Sequence, residues 1–177
     1  MTNSEKDPFD QRFWDAAETV WAAICKDGPC YRSPPEVPAD RNAVIRELKT
    51  ILQDDRLDAR AVELRYLPGG WATLLRDGLR ALLHAVSQVP GQKVTILVCK
   101  EKAGELRLMA QKTGDEDLDL EIGMISYWVT GQSRERCAVT GQPGQMTFDG
   151  WIIPLTAECA GLKRSDPAAF RKAVAMF

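Results

Sequence analysis

Histidine is almost missing: the 177 residues hold one, His84. A single imidazole cannot fill two histidine-dependent roles, which excludes a His-rich metal site and a relay of two imidazoles. A dominant charge is also missing. Lys and Arg number 23 against 25 Asp and Glu, a net charge of −2. A dedicated duplex-binding protein carries a basic footprint, and the global balance supplies none. Long apolar runs are lacking, and stretches such as Val94 to Cys99 are far too short to span a bilayer. The phosphate-cradling patterns Gly-x-Gly-x-x-Gly and Gly-x-x-x-x-Gly-Lys-Ser/Thr do not occur, nor does the Gly-x-Ser-x-Gly nucleophile motif. No internal repeat is visible. Met1 to Asp10 is polar and acidic, without a basic segment leading into an apolar one. No secretory signal is therefore expected, and the cytoplasm is the expected location.

What is present is ordinary globular usage: 45% apolar, 27% charged, 13 Gly and 10 Pro. That argues against disordered, collagen-like and disulfide-scaffold classes. The length fits a single domain over 1–177 with one real core. Five cysteines, an odd number, fit reduced thiols better than a disulfide framework. Cys25 and Cys30 flank Gly28-Pro29 and could pair only in an exported protein.

The patterning predicts a helical N-terminal part over 7–53. Asp7-Pro8 opens a helix whose Phe13, Ala17, Val20, Trp21 and Ile24 share a face. Pro29, Pro34, Pro35 and Pro38 stiffen a connection over 27–39. Asp40 caps a second helix with Val44, Ile45, Leu48, Ile51 and Leu52 as its apolar stripe. An α+β part over 60–132 follows. Val62, Leu64 and Tyr66 alternate with Glu63 and Arg65 as in a half-buried strand. Trp71 to Ser87 reads as a helix, Lys93 to Cys99 as a central strand and Glu105 to Gln111 as its hairpin partner, with Gly104 in the turn. Asp115, Glu116 and Asp117 sit where negative charge favours a helix start, before the stripe Leu118, Ile122, Ile125 and Val129. Met146 to Phe148 and Trp151 to Ile153 flank Asp149-Gly150, a short-range hairpin signal. A final helix is expected over 166–176, burying Phe170 and Val174. The class is α+β, with several helices packed on a small antiparallel sheet.

Cys137 to Cys159 is the most informative stretch. Its x-x-spaced positions around a hairpin have the layout of a zinc knuckle plus a second ligand pair, because that spacing lets two side chains on one turn reach one ion. From about Gly69 to Cys159 the chain resembles a poorly characterised bacterial and phage family. That family carries Lys-Glu-Lys-x-Gly-x-Leu-Arg, then Cys-x-x-Cys-Gly-x-Pro-Gly, a Gly-Trp and Leu-Cys-x-x-His. Gly70-Trp71, Lys100-Glu101-Lys102, Gly104, Leu106-Arg107, Cys137, Gly141, Pro143-Gly144, Gly150-Trp151 and Leu155 match in order. The departures fall on the ligands: Thr140 and Thr156 stand at two Cys positions, and Cys159 at the His position. The resemblance thus implies a zinc-ribbon-like hairpin over 137–159 without its full ligand set. No bound metal or other cofactor is expected, and packing around Trp151 and Phe148 is expected to hold the hairpin. Cys137 and Cys159 are left either as a disulfide or as packing neighbours.

Other candidates each have a plain reading beside the functional one. Lys100 and Lys102 either meet a phosphate or an acidic partner, or keep a β-edge soluble. Asp115, Glu116, Asp117, Asp119 and Glu121 either grip a basic partner or form a solvated helix start. His84 reads as a surface residue, Cys99 as a small buried hydrophobe rather than a nucleophile, and Met124 and Met146 as core or near-core filler. The expected function is that of a non-catalytic protein-binding protein, such as an immunity or inhibitor protein that neutralises a bacterial toxin. Five tryptophans and the acidic cluster suit a binding surface. A nucleic-acid-associated module is the alternative, disfavoured by charge and lost ligands, and an enzyme using Cys99 or the acidic residues is weakest.

Overall fold

The computed structural model describes residues 40–177. The expected first helix, the Pro-rich connection and the Cys25/Cys30 pair lie outside the described residues.

Helix α1 spans Arg41–Ile51. Asp40 caps it, its carboxylate accepting from the Asn42 N–H at 2.9 Å, and Val44, Ile45 and Leu48 are buried. Strand β1 is only Leu57–Asp58. The alternating segment after it is not a strand. Val62 makes one isolated parallel bridge to Cys99, and Leu64–Tyr66 coils into a 3-10 turn with Tyr66 exposed. The few residues left before Gly70 must reverse the chain, and a tight turn does this where an extended strand would overshoot.

A 3-10 turn over Gly69–Trp71 leads into helix α2, Ala72–Ser87, which buries Leu74, Leu75, Leu79, Leu82 and Val86. Strands β2, Val94–Lys102, and β3, Glu105–Ala110, form an antiparallel hairpin with an irregularity between Ile96 and Val98. Its two-residue turn places Ala103 at φ +53° and Gly104 at φ +82°, the positive-φ pair that matches the twist of a tight hairpin. β1 joins the other edge of β2 in parallel, Leu57 opposite Val94, so the three-stranded sheet is mixed rather than purely antiparallel. Helix α3, Glu116–Arg134, lies against β3 and α2 and buries Leu118, Ile122, Ile125 and Val129.

Strands β4, Gln145–Thr147, and β5, Ile153–Leu155, pair antiparallel across a loop over 148–152. One C-terminal helix was expected, but two are present: α4, Ala157–Ser165, and α5, Pro167–Val174. Thr156 caps α4, and Asp166 caps α5 ahead of Pro167. Phe170 and Val174 are buried as expected. The architecture is α+β, and one cluster of buried residues runs from Val44 to Met176. Among the described residues, no helix is long and apolar enough to cross a membrane.

Candidate functional site

The segment after α3 folds into a tight turn held from several sides. The Cys137 N–H donates to the Gln142 carbonyl at 2.7 Å, and the Gly141 N–H donates to the Cys137 carbonyl at 2.8 Å. Gly141 sits at φ +77°, a left-handed conformation that costs a residue with Cβ energy. The Ala138 N–H donates to Pro154 in β5 at 2.9 Å, and the Gly70 N–H donates to the Ala138 carbonyl at 2.8 Å. Trp71 is fully buried (0% exposed), and its indole N–H donates to the Arg136 carbonyl at 3.0 Å. Arg41 reaches from α1 to the Val139 carbonyl at 2.5 Å. Motifs far apart in the chain therefore meet: Gly70-Trp71 docks on the turn over 137–141. The β2–β3 turn leans on the second hairpin, where a Cβ on Gly104 would fall 2.6 Å from Met146 Sδ.

The fold brings Cys137, Thr140, Thr156 and Cys159 together. Cys137 Sγ lies 4.0 Å from Thr156 Oγ1, which also accepts the Cys159 N–H at 3.3 Å. Burial pushes the Cys137 thiol up, but the Thr140 hydroxyl and the backbone N–H groups of Thr156, Thr140 and Val139 donate to the sulfur. The net shift is downward. Burial pushes the Cys159 thiol up. The Thr156 hydroxyl opposes that and the neighbouring Cys137 sulfur adds to it, so Cys159 stays raised. This donor set does not fit zinc. Two of the four groups are neutral hydroxyls, and both already serve the backbone: Thr140 Oγ1 accepts the Gln142 N–H at 3.2 Å, and Thr156 caps α4.

The acidic cluster divides by role. The Asp115 carboxylate accepts the Leu118 N–H at 2.9 Å as the cap of α3. Asp119 accepts from the Thr113 N–H at 2.6 Å and from its hydroxyl at 2.9 Å, and these donors hold its carboxyl below the usual range. Burial pushes Glu121 up against the pull of His84, an exposed residue on α2. Glu116 and Asp117 are exposed. Lys100 and Lys102 are exposed on β2, facing Arg107 and Glu105 across the ladder. Cys99 is buried, which pushes its thiol up to about 12 and keeps it protonated near neutral pH. Met124 is buried and Met146 half-buried.

The second hairpin is not held by its aromatic rings. Phe148 is 75% exposed, Trp151 39% and Ile152 36%. The loop is too short to fold its own rings back over β4 and β5, and the core side is already filled by Ile153, Pro154 and Leu155. Lys163 of α4 holds the loop instead, donating to the Trp151 carbonyl at 2.7 Å and to Asp149 Oδ1 at 3.0 Å. Trp151 approaches Phe170 edge-on at 6.2 Å between ring centres.

Two buried charges escape the sequence reading, Asp77 and Arg136. Asp77 lies on the apolar stripe of α2, three positions after Leu74 and four before Ala81, and that spacing is the signal that could have found it. Burial pushes its carboxyl up to about 7, against the pull of Arg80 and Arg136. Arg76 Nε, 2.7 Å from Oδ1, also favours the charged form. Burial lowers Arg136 to about 10, opposed by Asp77 and Glu135. A carboxyl raised on folding binds its proton more tightly in the native state. Its contribution to stability is therefore complete below the ordinary value near 4 and is lost as pH rises towards 7. At about 1.4 kcal/mol per pKa unit, less the Arg76 contact, the expected loss is roughly 2 kcal/mol. Urea midpoints taken across that range should fall in the wild type and stay level in Asp77→Asn. Equal slopes in both would remove Asp77 as the cause.

The chain matches no protein-family model, no curated protein and no solved structure.

Proposed function

We propose that this chain is a non-catalytic protein-binding protein of the immunity or inhibitor kind, acting in the cytoplasm on a bacterial toxin. The observation that carries the binding role is the loop over 148–152. Phe148, Trp151 and Ile152 hold large apolar surface in water within five residues, on a loop anchored at its base by Lys163. Exposed apolar surface grouped on a rigid support marks a contact site, and aromatic anchors dominate the energy of such contacts. Glu116 and Asp117, the acidic residues left free of capping work, give a basic partner a second contact. In this reading Lys100 and Lys102 keep the edge of the sheet soluble. The C-terminal hairpin, as the resemblance to the bacterial and phage family implies, is a zinc-ribbon-like element that has exchanged two ligands for threonines; the docked Gly70-Trp71 pair supports its first turn.

The test is a comparison of wild type with the double variant Phe148→Ser/Trp151→Ser. Both positions are exposed, so the melting temperature should move by no more than a few degrees. Immobilised wild type should retain a protein from lysate of the native host, and the variant should not. The retained protein, purified, should bind the wild type with a dissociation constant below about 1 μM and lose at least tenfold on the variant. Equal retention by both proteins would remove the loop from the contact. Tight, salt-steep binding of a labelled DNA or RNA oligonucleotide would replace the reading with a nucleic-acid one.

A further inference from the structure

Two thiols meet where the turn over 137–141 touches the first turn of α4. Cys137 is fully buried and Cys159 is 6% exposed, beneath the half-buried Thr140 and Thr156. Both cysteines converge on one hydroxyl: Cys137 Sγ lies 4.0 Å from Thr156 Oγ1, which accepts the Cys159 N–H at 3.3 Å. The backbones carrying them are fixed independently. Cys137 is tied to Gln142 and Gly141 within its turn, its neighbour Ala138 to Pro154 in β5, and Cys159 to the capping hydroxyl of Thr156. The sulfurs are therefore neighbours by construction of the fold, although 22 positions separate them in the chain.

We propose that Cys137 and Cys159 form a reversible redox dithiol, closed to an intramolecular disulfide by a small peroxide and reopened by a dithiol reductant. A small oxidant is required because the pair lies under the surface, and only Cys159 has any opening to solvent. The Cys159 sulfur attacks the O–O bond of hydrogen peroxide. One oxygen stays on sulfur as sulfenic acid, and the other leaves as hydroxide that takes up the thiol proton to become water. The Cys137 sulfur then displaces the hydroxyl from Cys159. The S–O bond breaks, the S–S bond forms, and the Cys137 proton leaves with the hydroxide as a second water. Two electrons pass from the sulfur pair to peroxide. A dithiol reverses the step by thiol–disulfide exchange. The closed form staples the turn to α4 and encloses the whole β4–β5 hairpin in a covalent loop.

The experiment uses the full chain, reduced and then treated briefly with hydrogen peroxide. The denatured protein should lose the mass of two hydrogens. Peptide mapping without reductant should join the peptides of Cys137 and Cys159, and dithiothreitol should restore both thiols to alkylation. The oxidised wild type should melt roughly 5–10 °C higher than the reduced form, since the cross-link restricts the unfolded chain. That difference should vanish in Cys159→Ser. The peptide map needs no variant, so the proposal stays testable even if Cys159→Ser folds poorly. Four results would overturn it: both thiols still alkylatable after peroxide, sulfinic acid at Cys159 with Cys137 free, a cross-link to another cysteine, or a metal ion in the purified protein that bridges the two sulfurs.

Discussion

Trp71→Ala is expected to lower the free energy of unfolding by about 3–5 kcal/mol, the range for emptying a buried aromatic site. Trp71 is fully buried, and it carries two functions in one ring. Its apolar body fills the space between the start of α2 and the segment after α3. Its N–H satisfies the Arg136 carbonyl at 3.0 Å, a buried acceptor that a smaller residue would strand. Trp71→Phe separates the two. It keeps most of the apolar area and drops the hydrogen bond, so it should cost about 1–2 kcal/mol for the stranded carbonyl, plus the smaller ring. Urea unfolding followed by far-UV circular dichroism reads both variants. A loss under about 1 kcal/mol for Trp71→Ala would show that the ring does not key the core.

The contrast with Trp151 shows where sequence reading stops. Both tryptophans follow a glycine, yet one is sealed in the core and the other is 39% exposed. Local pattern separates them only in part. Trp71 opens the helical stripe Leu74, Leu75, Leu79, so its burial follows from the 3.6-residue period. Trp151 sits in a hairpin loop, where burial depends on what packs over the loop, and that is a tertiary fact. The same distinction holds along the chain. Helix α2 was legible from its apolar period, the β2–β3 hairpin from its turn glycine, and helix α3 from its Asp115 cap together with its period. β1 was not, because Leu57–Asp58 is two residues long, set between Asp54-Asp55 and Arg60, and owes its strand character to pairing with Val94 and Thr95. Helix α4 was hidden behind another reading of its own signal: Thr156, expected at a ligand position, is its N-cap. The convergence of Cys137, Thr140, Thr156 and Cys159 was expected from the resemblance, which marked the two threonines as ligand positions; spacing alone does not single them out. The docking of Gly70-Trp71 on that turn was not legible, since no local rule joins Gly70 to Cys137 across 67 positions.

Gly70→Ala is the second large effect expected, and it tests that docking directly. A Cβ at Gly70 would fall 2.3 Å from the Cys137 carbonyl oxygen and 2.6 Å from the Ala138 carbonyl carbon. Both are backbone atoms, so no side-chain rotation relieves the clash. The Gly70 N–H also donates to Ala138 at 2.8 Å, and a shift that makes room for the methyl lengthens that bond. Overpacking of this kind costs about 1–3 kcal/mol, and the strained hydrogen bond adds about 1 kcal/mol. Gly123 supplies the control. It lies inside α3, and a methyl added there would meet nothing within 4 Å, so Gly123→Ala should stabilise by about 0.5–1 kcal/mol through helix propensity. One chemical change should therefore have opposite signs at two sites in the same protein. Because the Gly70 clash acts on the turn that carries Cys137, Gly70→Ala should also raise the rate at which the Cys137 thiol is alkylated in the native state. Gly123→Ala should leave that rate unchanged. Stabilisation by Gly70→Ala, or unaltered alkylation of Cys137 despite a lower unfolding midpoint, would mean that the start of α2 and the 137–141 turn are not held together as the hydrogen bonds indicate.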